Sequence, residues 1–165
     1  MFATGLFSSN SDDPCRVDGR ALTALGESEL AAGFQSDTDN LLIGLDSRTT
    51  LLNTLGQKII KRCGENSRLA DLFSPLTQAT EELSAGTLLR TVLDATGDIW
   101  PHRKSIGQIV VADVWQHRNA GGVGTGAGYV PFHKLSQWLS YSLIEPLQRH
   151  QLCLLYTSPS PRDRG

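Results

Sequence analysis

The sequence predicts a mainly helical protein with one small β insertion. Most of its apolar residues recur at spacings of three and four, the period of a helix with one buried face. Only residues 106–115 carry the run of β-branched side chains that is typical of a strand. With 165 residues, 39% of them hydrophobic and 19% charged, the chain has enough apolar side chains for one core and fits a single domain.

The first part of the chain is predicted to be irregular and then to form short helices. Residues 1–19 are rich in Ser, Asp and Gly, which favour turns. Short helices are predicted at 20–25 and 27–33, followed by a turn-like connector at 39–45. One further turn is predicted at 68–73.

Two longer amphipathic helices are predicted, at 47–62 and 84–95. Gly64 and Gly97 follow them directly, and Ser84 can cap the start of the second helix. The side chains expected to face inward are all apolar: Leu51, Leu52, Leu55, Ile59, Ile60, Leu88, Leu89, Val92 and Leu93.

The β insertion and a glycine-rich segment come next. Residues 106–115 predict a short strand, or the edge of a hairpin with residues near 99–105. The segment at 119–129, NAGGVGTGAGY, then leads to the last helix. Strand, glycine loop and helix is the order in which backbone N–H groups can bind phosphate. However, no complete phosphate-binding or dinucleotide-binding motif is present, so a flexible connector is the alternative.

The last helix is predicted at 131–146, within the segment VPFHKLSQWLSYSLIEPL. Pro131 suits a first helical turn and Pro146 should end the helix. One face is expected to be apolar, formed by Phe132, Leu135, Leu139, Ser142 and Leu143. A second face is a row of hydrogen-bonding groups, formed by His133, Gln137, Tyr141 and Glu145.

Two interpretations of this polar row are open. It is either the solvated side of an amphipathic helix or the lining of a cleft. The second interpretation is favoured by Trp138 and Tyr141 near this face and by His, Gln and Tyr in place of the Glu and Lys of ordinary solvated faces.

Charge and hydropathy exclude several classes of protein. A net charge of −2 provides no basic surface for nucleic acid. No apolar run approaches the roughly 20 residues needed to cross a bilayer, and residues 1–10 do not form a secretory signal. Cys15 and Cys63 show no metal-binding spacing and are expected to be reduced, so a cytoplasmic location is predicted.

Several segments resemble one known family. The VPFHKLSQWLSYSLIEPL segment, together with DVWQH at 113–117 and GDIWP at 97–101, resembles the uracil-catabolism family of fungi and bacteria, long catalogued as a domain of unknown function. GLFSSNSDDPCRVDGRALTAL and GFQSDTDNLLIGLDSRTTLLNTLG fit the same family. The resemblance covers most of residues 5–150. It implies a pathway shared with a ring-opening enzyme and a uracil phosphoribosyltransferase, through a ribosylurea-type intermediate.

The resemblance also implies that the chain is a piece of a longer protein. Members of the family extend beyond both ends of the matched region. The last segment, residues 153–165, resembles the translated read-through of a sequencing adapter. We therefore expect residues 1–152 to be a helical fragment of a single larger domain of this family, and 153–165 to be a non-native tail.

Three residues near the family segments are candidate catalytic groups. Asp113 and His133 are predicted to act as acid, base or orienting groups, since a carboxylate beside an imidazole can fix its tautomer. Asp113 or Glu145 could activate water or stabilise an oxocarbenium-like state. For Asp113 the alternative is a structural turn or cap. No metal is predicted, because His102, His117 and His133 lack a recognised ligand spacing.

Five residues are predicted to bind substrate: Trp115, His117, Lys134, Gln137 and Tyr141. Trp115 could stack on a flat heterocycle or urea group, and the Gln137 amide could hydrogen-bond to it. Lys134 could meet a 5′-phosphate, although an exposed lysine is the usual alternative. Trp100 and Trp138 are expected to be core or wall residues.

Two functional hypotheses follow. In the first, the protein is a hydrolase or N-glycosidase acting on a uracil-derived ribosylurea, without a cofactor. In the second, it is a non-catalytic partner that binds an intermediate or organises the other uracil-catabolism enzymes. Phosphoribosyl transfer by this chain is disfavoured, because no acidic pair followed by a small-residue phosphate loop is present after a strand.

Overall fold

The fold is mainly helical with short two-stranded β pairings, which confirms the predicted class. The chain divides into two compact units, Met1–Leu72 and Phe73–Gly165. The prediction that residues 1–152 form one domain stays a prediction. The computed structural model describes residues 1–77, 82–100, 104–111, 114–131, 134–149 and 153–155.

The first unit is built from three helices. They are α1 (Gly19–Ala24), α2 (Glu27–Gly33) and α3 (Leu45–Cys63), each within two residues of its predicted bounds at either end. Short 3-10 helices precede and follow them at Phe2–Thr4 and Leu69–Phe73. The second of these confirms the turn predicted at 68–73.

A buried carboxylate ties the N-terminal segment to α1. Asp18 has no exposed surface, and its Oδ1 accepts the Ala21 N–H at 3.0 Å as the N-cap of α1. Its Oδ2 accepts the Ser9 N–H at 2.7 Å and the Ser9 hydroxyl at 2.9 Å, and lies 3.1 Å from Arg16 Nε. Burial alone would raise the pKa of Asp18, but these hydrogen bonds and the Arg16 charge outweigh it and lower the pKa. The N-terminal segment that was predicted to be irregular is therefore fixed to the start of α1 through the contacts of Asp18 with Ser9 and Arg16.

Two glycines allow α1 and α3 to pack closely. A Cβ at Gly56 would lie 2.6 Å from the backbone nitrogen of Thr23, and a Cβ at Gly19 would lie 3.0 Å from the Gly56 carbonyl oxygen. Asn53 of α3 then donates to the carbonyl oxygens of Leu22 at 2.8 Å and Leu25 at 3.0 Å, the open carboxyl end of α1. These bonds link the two helices beside their close approach at Gly56.

The buried face of α3 differs in part from the predicted one. Ile59 is fully buried as expected, but Leu51, Leu52, Leu55 and Ile60 are only half-buried. The other fully buried positions of α3 are small: Thr49 and Gly56. At Gly56 the reason is the close approach of α1, whose Thr23 and Gly19 backbone atoms leave no room for a side chain.

The second unit begins with α4 (Ser74–Thr77), β1 (Glu82–Ser84) and α5 (Ala85–Thr96). The Ser84 hydroxyl accepts the Thr87 N–H at 3.0 Å, and the Gly97 N–H donates to the Leu93 carbonyl at 2.7 Å. Both end signals predicted for this helix are thereby confirmed. Its buried side is part of an apolar cluster formed by Leu76, Leu83, Leu88, Val92 and Leu147.

The predicted β insertion is a pair of hairpins. In the first, β2 (Lys104–Ile106) pairs antiparallel with β3 (Ile109–Val111) across a turn at Gly107, where φ is +62°. In the second, β4 (Val114–Gln116) pairs antiparallel with β5 (Tyr129–Pro131). The glycine-rich segment therefore connects two strands, and the predicted order of strand, glycine loop and helix is wrong.

The last helix is shifted relative to its prediction. Its described part, α6, spans Lys134–Arg149, with Pro146 inside it, while Pro131 lies in β5 opposite Val114. Proline has no backbone N–H to donate to a neighbouring strand. Pro131 is tolerated because both strands of a two-stranded sheet are edge strands. Pro146 removes one helical hydrogen bond, but the next residue, Leu147, is buried in the apolar cluster and holds the following turn in place. After α6, β6 (Cys153–Leu155) pairs in parallel with β1.

The buried face of α6 also differs from the predicted one. Leu143 is half-buried as part of the apolar side, but Leu139 is 36% exposed and Ser142 is exposed. The most buried residues are Ser136, Ser140 and Leu147. The Ser140 hydroxyl donates to the Ser136 carbonyl at 2.8 Å, so the serine can be buried without an unsatisfied donor. The prediction placed Ser142 on the buried face, whereas the structure buries Ser136 and Ser140 and leaves Ser142 exposed.

Candidate functional site

In the part of the chain that the structure describes, the hairpin of β4 and β5 brings two of the predicted substrate-binding residues beside a depression. Its loop is closed by two backbone hydrogen bonds, from His117 N–H to Gly128 oxygen at 2.8 Å and from Gly128 N–H to Gly121 oxygen at 2.9 Å. Gly128 and Gly121 have φ values of +78° and +51°, which L side chains rarely adopt. The loop therefore has the hydrogen bonds and backbone angles of a closed hairpin loop.

The loop and the end of β4 form an open surface depression of about 670 Å³. This volume lies in the range of about 300–1,000 Å³ that small-molecule sites occupy. The depression is lined by Trp115, Gln116, His117, Arg118, Gly121, Gly122, Ala127 and Gly128.

Two of the predicted substrate-binding residues meet in this depression. The Trp115 side chain is 58% exposed, so much of its indole ring is free to stack on a ligand. The Nδ1 atom of His117 accepts the Asn119 N–H at 3.2 Å, which assigns the ring proton of the neutral imidazole to Nε2. His117 therefore offers a hydrogen-bond donor beside an aromatic surface.

Arg118 also lines the depression, and the sequence analysis missed it. Among the residues that the structure describes, no acceptor and no carboxylate pairs with its guanidinium group, and no acidic residue lines this depression. The only sequence signal was a cation next to His117 at the start of the glycine-rich loop. That pattern is too common to single out a residue.

The predicted residues of α6 do not line this depression. Lys134, Gln137 and Tyr141 are exposed on the helix, and Glu145 forms an exposed ion pair with Arg149 one turn later. Such exposed pairs contribute little to stability. In the described part of α6, the polar row is thus open to solvent, as the first of its two interpretations expects.

Two further observations concern the tryptophans. Trp138 is 68% exposed, so the expectation that it is a core or wall residue is wrong. Trp100 is half-buried, and its indole Nε1 is enclosed with no hydrogen-bond partner in the part of the chain that the structure describes.

Four residues named in the sequence analysis lie outside the described residues: His102, Asp113, Phe132 and His133. Their roles stay predictions that rest on position in the sequence. Within the described ranges, no group of three or more His, Cys, Asp or Glu side chains could hold a metal ion, and no helix is long and apolar enough to span a membrane.

The first unit has a second open depression, of about 520 Å³. Its charged groups are already paired: Arg20 with Glu65, and Glu29 Oε2 with the Gly26 N–H at 2.9 Å. It therefore offers fewer unpaired charged groups to a ligand than the hairpin depression does.

The structure is that of a mainly helical protein with a depression on a β-hairpin that is lined by one aromatic and one cationic side chain. Residues 1–157 match the family described as "Protein of unknown function (DUF1688)", and the chain belongs to that family. The family resemblance stated from the sequence is confirmed.

Two relatives are similar to this chain over most of its length. It is 36% identical to Protein urg3 of Schizosaccharomyces pombe over 147 residues, which are 89% of this chain and 35% of the relative. It is 32% identical to Uracil catabolism protein 4 of Lachancea kluyveri in an alignment of 164 residues that covers 91% of this chain and 37% of the relative. The chain thus spans about a third of the length of these curated relatives. No solved structure matches it.

Proposed function

We propose that this chain belongs to a protein of uracil catabolism that acts as a hydrolase or N-glycosidase on a ribosylurea-type intermediate. One observation carries the proposal: Trp115 and His117, both predicted to bind substrate, line one depression of suitable size. The name of the relative Uracil catabolism protein 4 supports the pathway.

The proposed binding chemistry follows from these two side chains. A uracil ring or a urea group is flat and polar, so it can stack on the exposed Trp115 ring while its carbonyl oxygen accepts from His117 Nε2. Such a site holds the flat end of the substrate and fixes its orientation.

The proposed catalytic groups are Asp113, Glu145 and His133. Asp113 comes directly before β4 in the sequence and therefore only two positions before Trp115. In this proposal Asp113 activates a water molecule or stabilises the oxocarbenium-like state as the bond to urea breaks. Glu145 is the alternative carboxylate, and His133, which precedes α6 in the sequence, serves as the acid or orienting group.

A urea-release assay tests this activity. Ribosylurea and its 5′-phosphate are incubated with this chain and with full-length Uracil catabolism protein 4, each with and without the equivalents of Asp113→Asn and His133→Ala. We expect urea release that is lost in both variants and kept in Asp39→Asn, a matched control in an exposed connector. Urea release that persists in both variants would refute the catalytic assignment.

A second candidate is a non-catalytic binding or organising role beside the other enzymes of the pathway. It is favoured by one observation: no carboxylate lines the depression among the described residues. Ligand binding without urea release, together with copurification of the ring-opening enzyme, would establish this role instead.

A cytoplasmic location is also proposed. Cys15 and Cys63 are exposed free thiols, the form that a reducing compartment maintains. Imaging of a fluorescent fusion of the full-length relative tests the location, and a secreted or organellar signal would refute it.

A further inference from the structure

The charge of the hairpin depression is the starting point. Arg118 is the only residue with a permanent charge among those that line it, and no described carboxylate neutralises that charge. A guanidinium group presents planar, paired N–H donors that match two oxygens of a phosphate. An unpaired arginine in a ligand-sized depression therefore favours an anionic group in the ligand.

The glycine loop adds backbone donors to the same surface. Gly121 and Gly122 line the depression, and their backbone N–H groups donate to no acceptor in the described part of the chain. A Cβ at Gly121 would meet no atom within 4 Å, so the space beside its backbone is open to a ligand. Free backbone N–H groups in glycine-rich loops are frequent partners of phosphate oxygens.

The residues that line the depression offer two kinds of contact to a ligand. Trp115 and His117 suit a flat, polar, uncharged group, whereas Arg118 and the two glycine N–H groups suit a phosphate. Both sets lie along one depression of about 670 Å³. A 5′-phosphorylated riboside carries these two kinds of group on one small molecule.

We infer that this site takes the 5′-phosphorylated riboside and not the free riboside or base, with Arg118 as the residue that selects it. Lys134, the phosphate contact predicted from the sequence, does not line the depression. The inference rests on the proposed function only for the identity of the flat group. The preference for the phosphate rests on Arg118 and the loop.

Calorimetric titration of this chain with three probes tests the inference. The probes are UMP, uridine and ribose 5-phosphate. We expect UMP to bind at least about tenfold more tightly than uridine, as charge-assisted hydrogen bonds to a phosphate provide. Arg118→Gln should remove this preference. Arg90→Gln, which removes the same charge from an exposed position of α5, should leave it unchanged.

The outcomes separate this inference from the proposed function. Equal affinity for UMP and uridine, or a preference that persists in Arg118→Gln, would overturn the inference even if urea release were observed. Arg118-dependent binding of ribose 5-phosphate without any urea release would support the phosphate site while the proposed hydrolase fails. Absence of binding by all three probes would overturn the phosphate site.

Discussion

Replacement of Gly56 by alanine should loosen the packing of α1 against α3. The added Cβ would lie 2.6 Å from both the backbone nitrogen and Oγ1 of Thr23, and 2.7 Å from the carbonyl oxygen of Gly19. Two of these neighbours are backbone atoms, so no side-chain rotation can relieve the overlap. The helices must separate by about 0.8 Å to restore ordinary contact.

That separation has a predictable energetic cost. Overpacking of a core contact costs about 1–3 kcal/mol, and each weakened hydrogen bond costs about 0.5–1.5 kcal/mol more. The bonds at risk are those from Asn53 to the Leu22 and Leu25 carbonyls. Alanine gains at most about 1 kcal/mol over glycine in helix propensity. We therefore expect a net loss of about 1–3 kcal/mol in the free energy of unfolding.

Urea denaturation followed by circular dichroism measures this loss. Gly86→Ala is the matched control, because a Cβ there would meet only Ser84 Oγ, at 3.8 Å, and α5 should keep or gain stability. The double substitution of Gly56→Ala with Thr23→Ala removes one of the overlaps and should recover part of the loss. If Gly56→Ala proved as stable as the unchanged chain, the close approach of the two helices would be refuted.

Three further predictions address the buried ion pair, the end of α6 and the site. Asp18→Ala should lower the free energy of unfolding by about 3–5 kcal/mol, because it leaves the buried partner arginine unpaired. Since the pKa of Asp18 is lowered in the folded chain, its contribution is present above the ordinary value of 3.8 and is lost as the pH falls through the lower folded value. Acid unfolding curves that run parallel with and without this carboxylate would contradict the assignment. Leu147→Ala should cost about 2–5 kcal/mol in denaturant unfolding, whereas Leu139→Ala, at a 36% exposed position, should cost much less; equal losses would show that α6 does not continue past its proline as described. Trp115→Ala should leave stability nearly unchanged but weaken UMP binding in calorimetry by about 1–3 kcal/mol, the range of base stacking. Trp138→Ala is its control, and equal weakening by both variants would place the ligand elsewhere.

The sequence alone determined most of the helices and the β region. Helix α5 was predicted with both of its ends, because its signals are local: Ser84 caps one end and Gly97 follows the other. The β region was likewise predicted from a local signal, its run of β-branched residues. Trp115 and His117, both predicted to bind substrate, line one depression because they are two positions apart on one continuous segment, so their proximity needed no tertiary information.

Tertiary structure decided the features that depend on distant partners. The glycine-rich loop closes a hairpin because β5 pairs with β4, and that pairing, not the loop's composition, brings Arg118 into the depression. The buried face of α6 follows Ser136, Ser140 and Leu147, since the packing partner determines which face is buried. Helical periodicity identifies an amphipathic segment but does not specify its partner. The close contact at Gly56 likewise exists only because α1 lies against α3, so an apparently unremarkable helix glycine acquires its role from a neighbour more than 30 residues away in the chain.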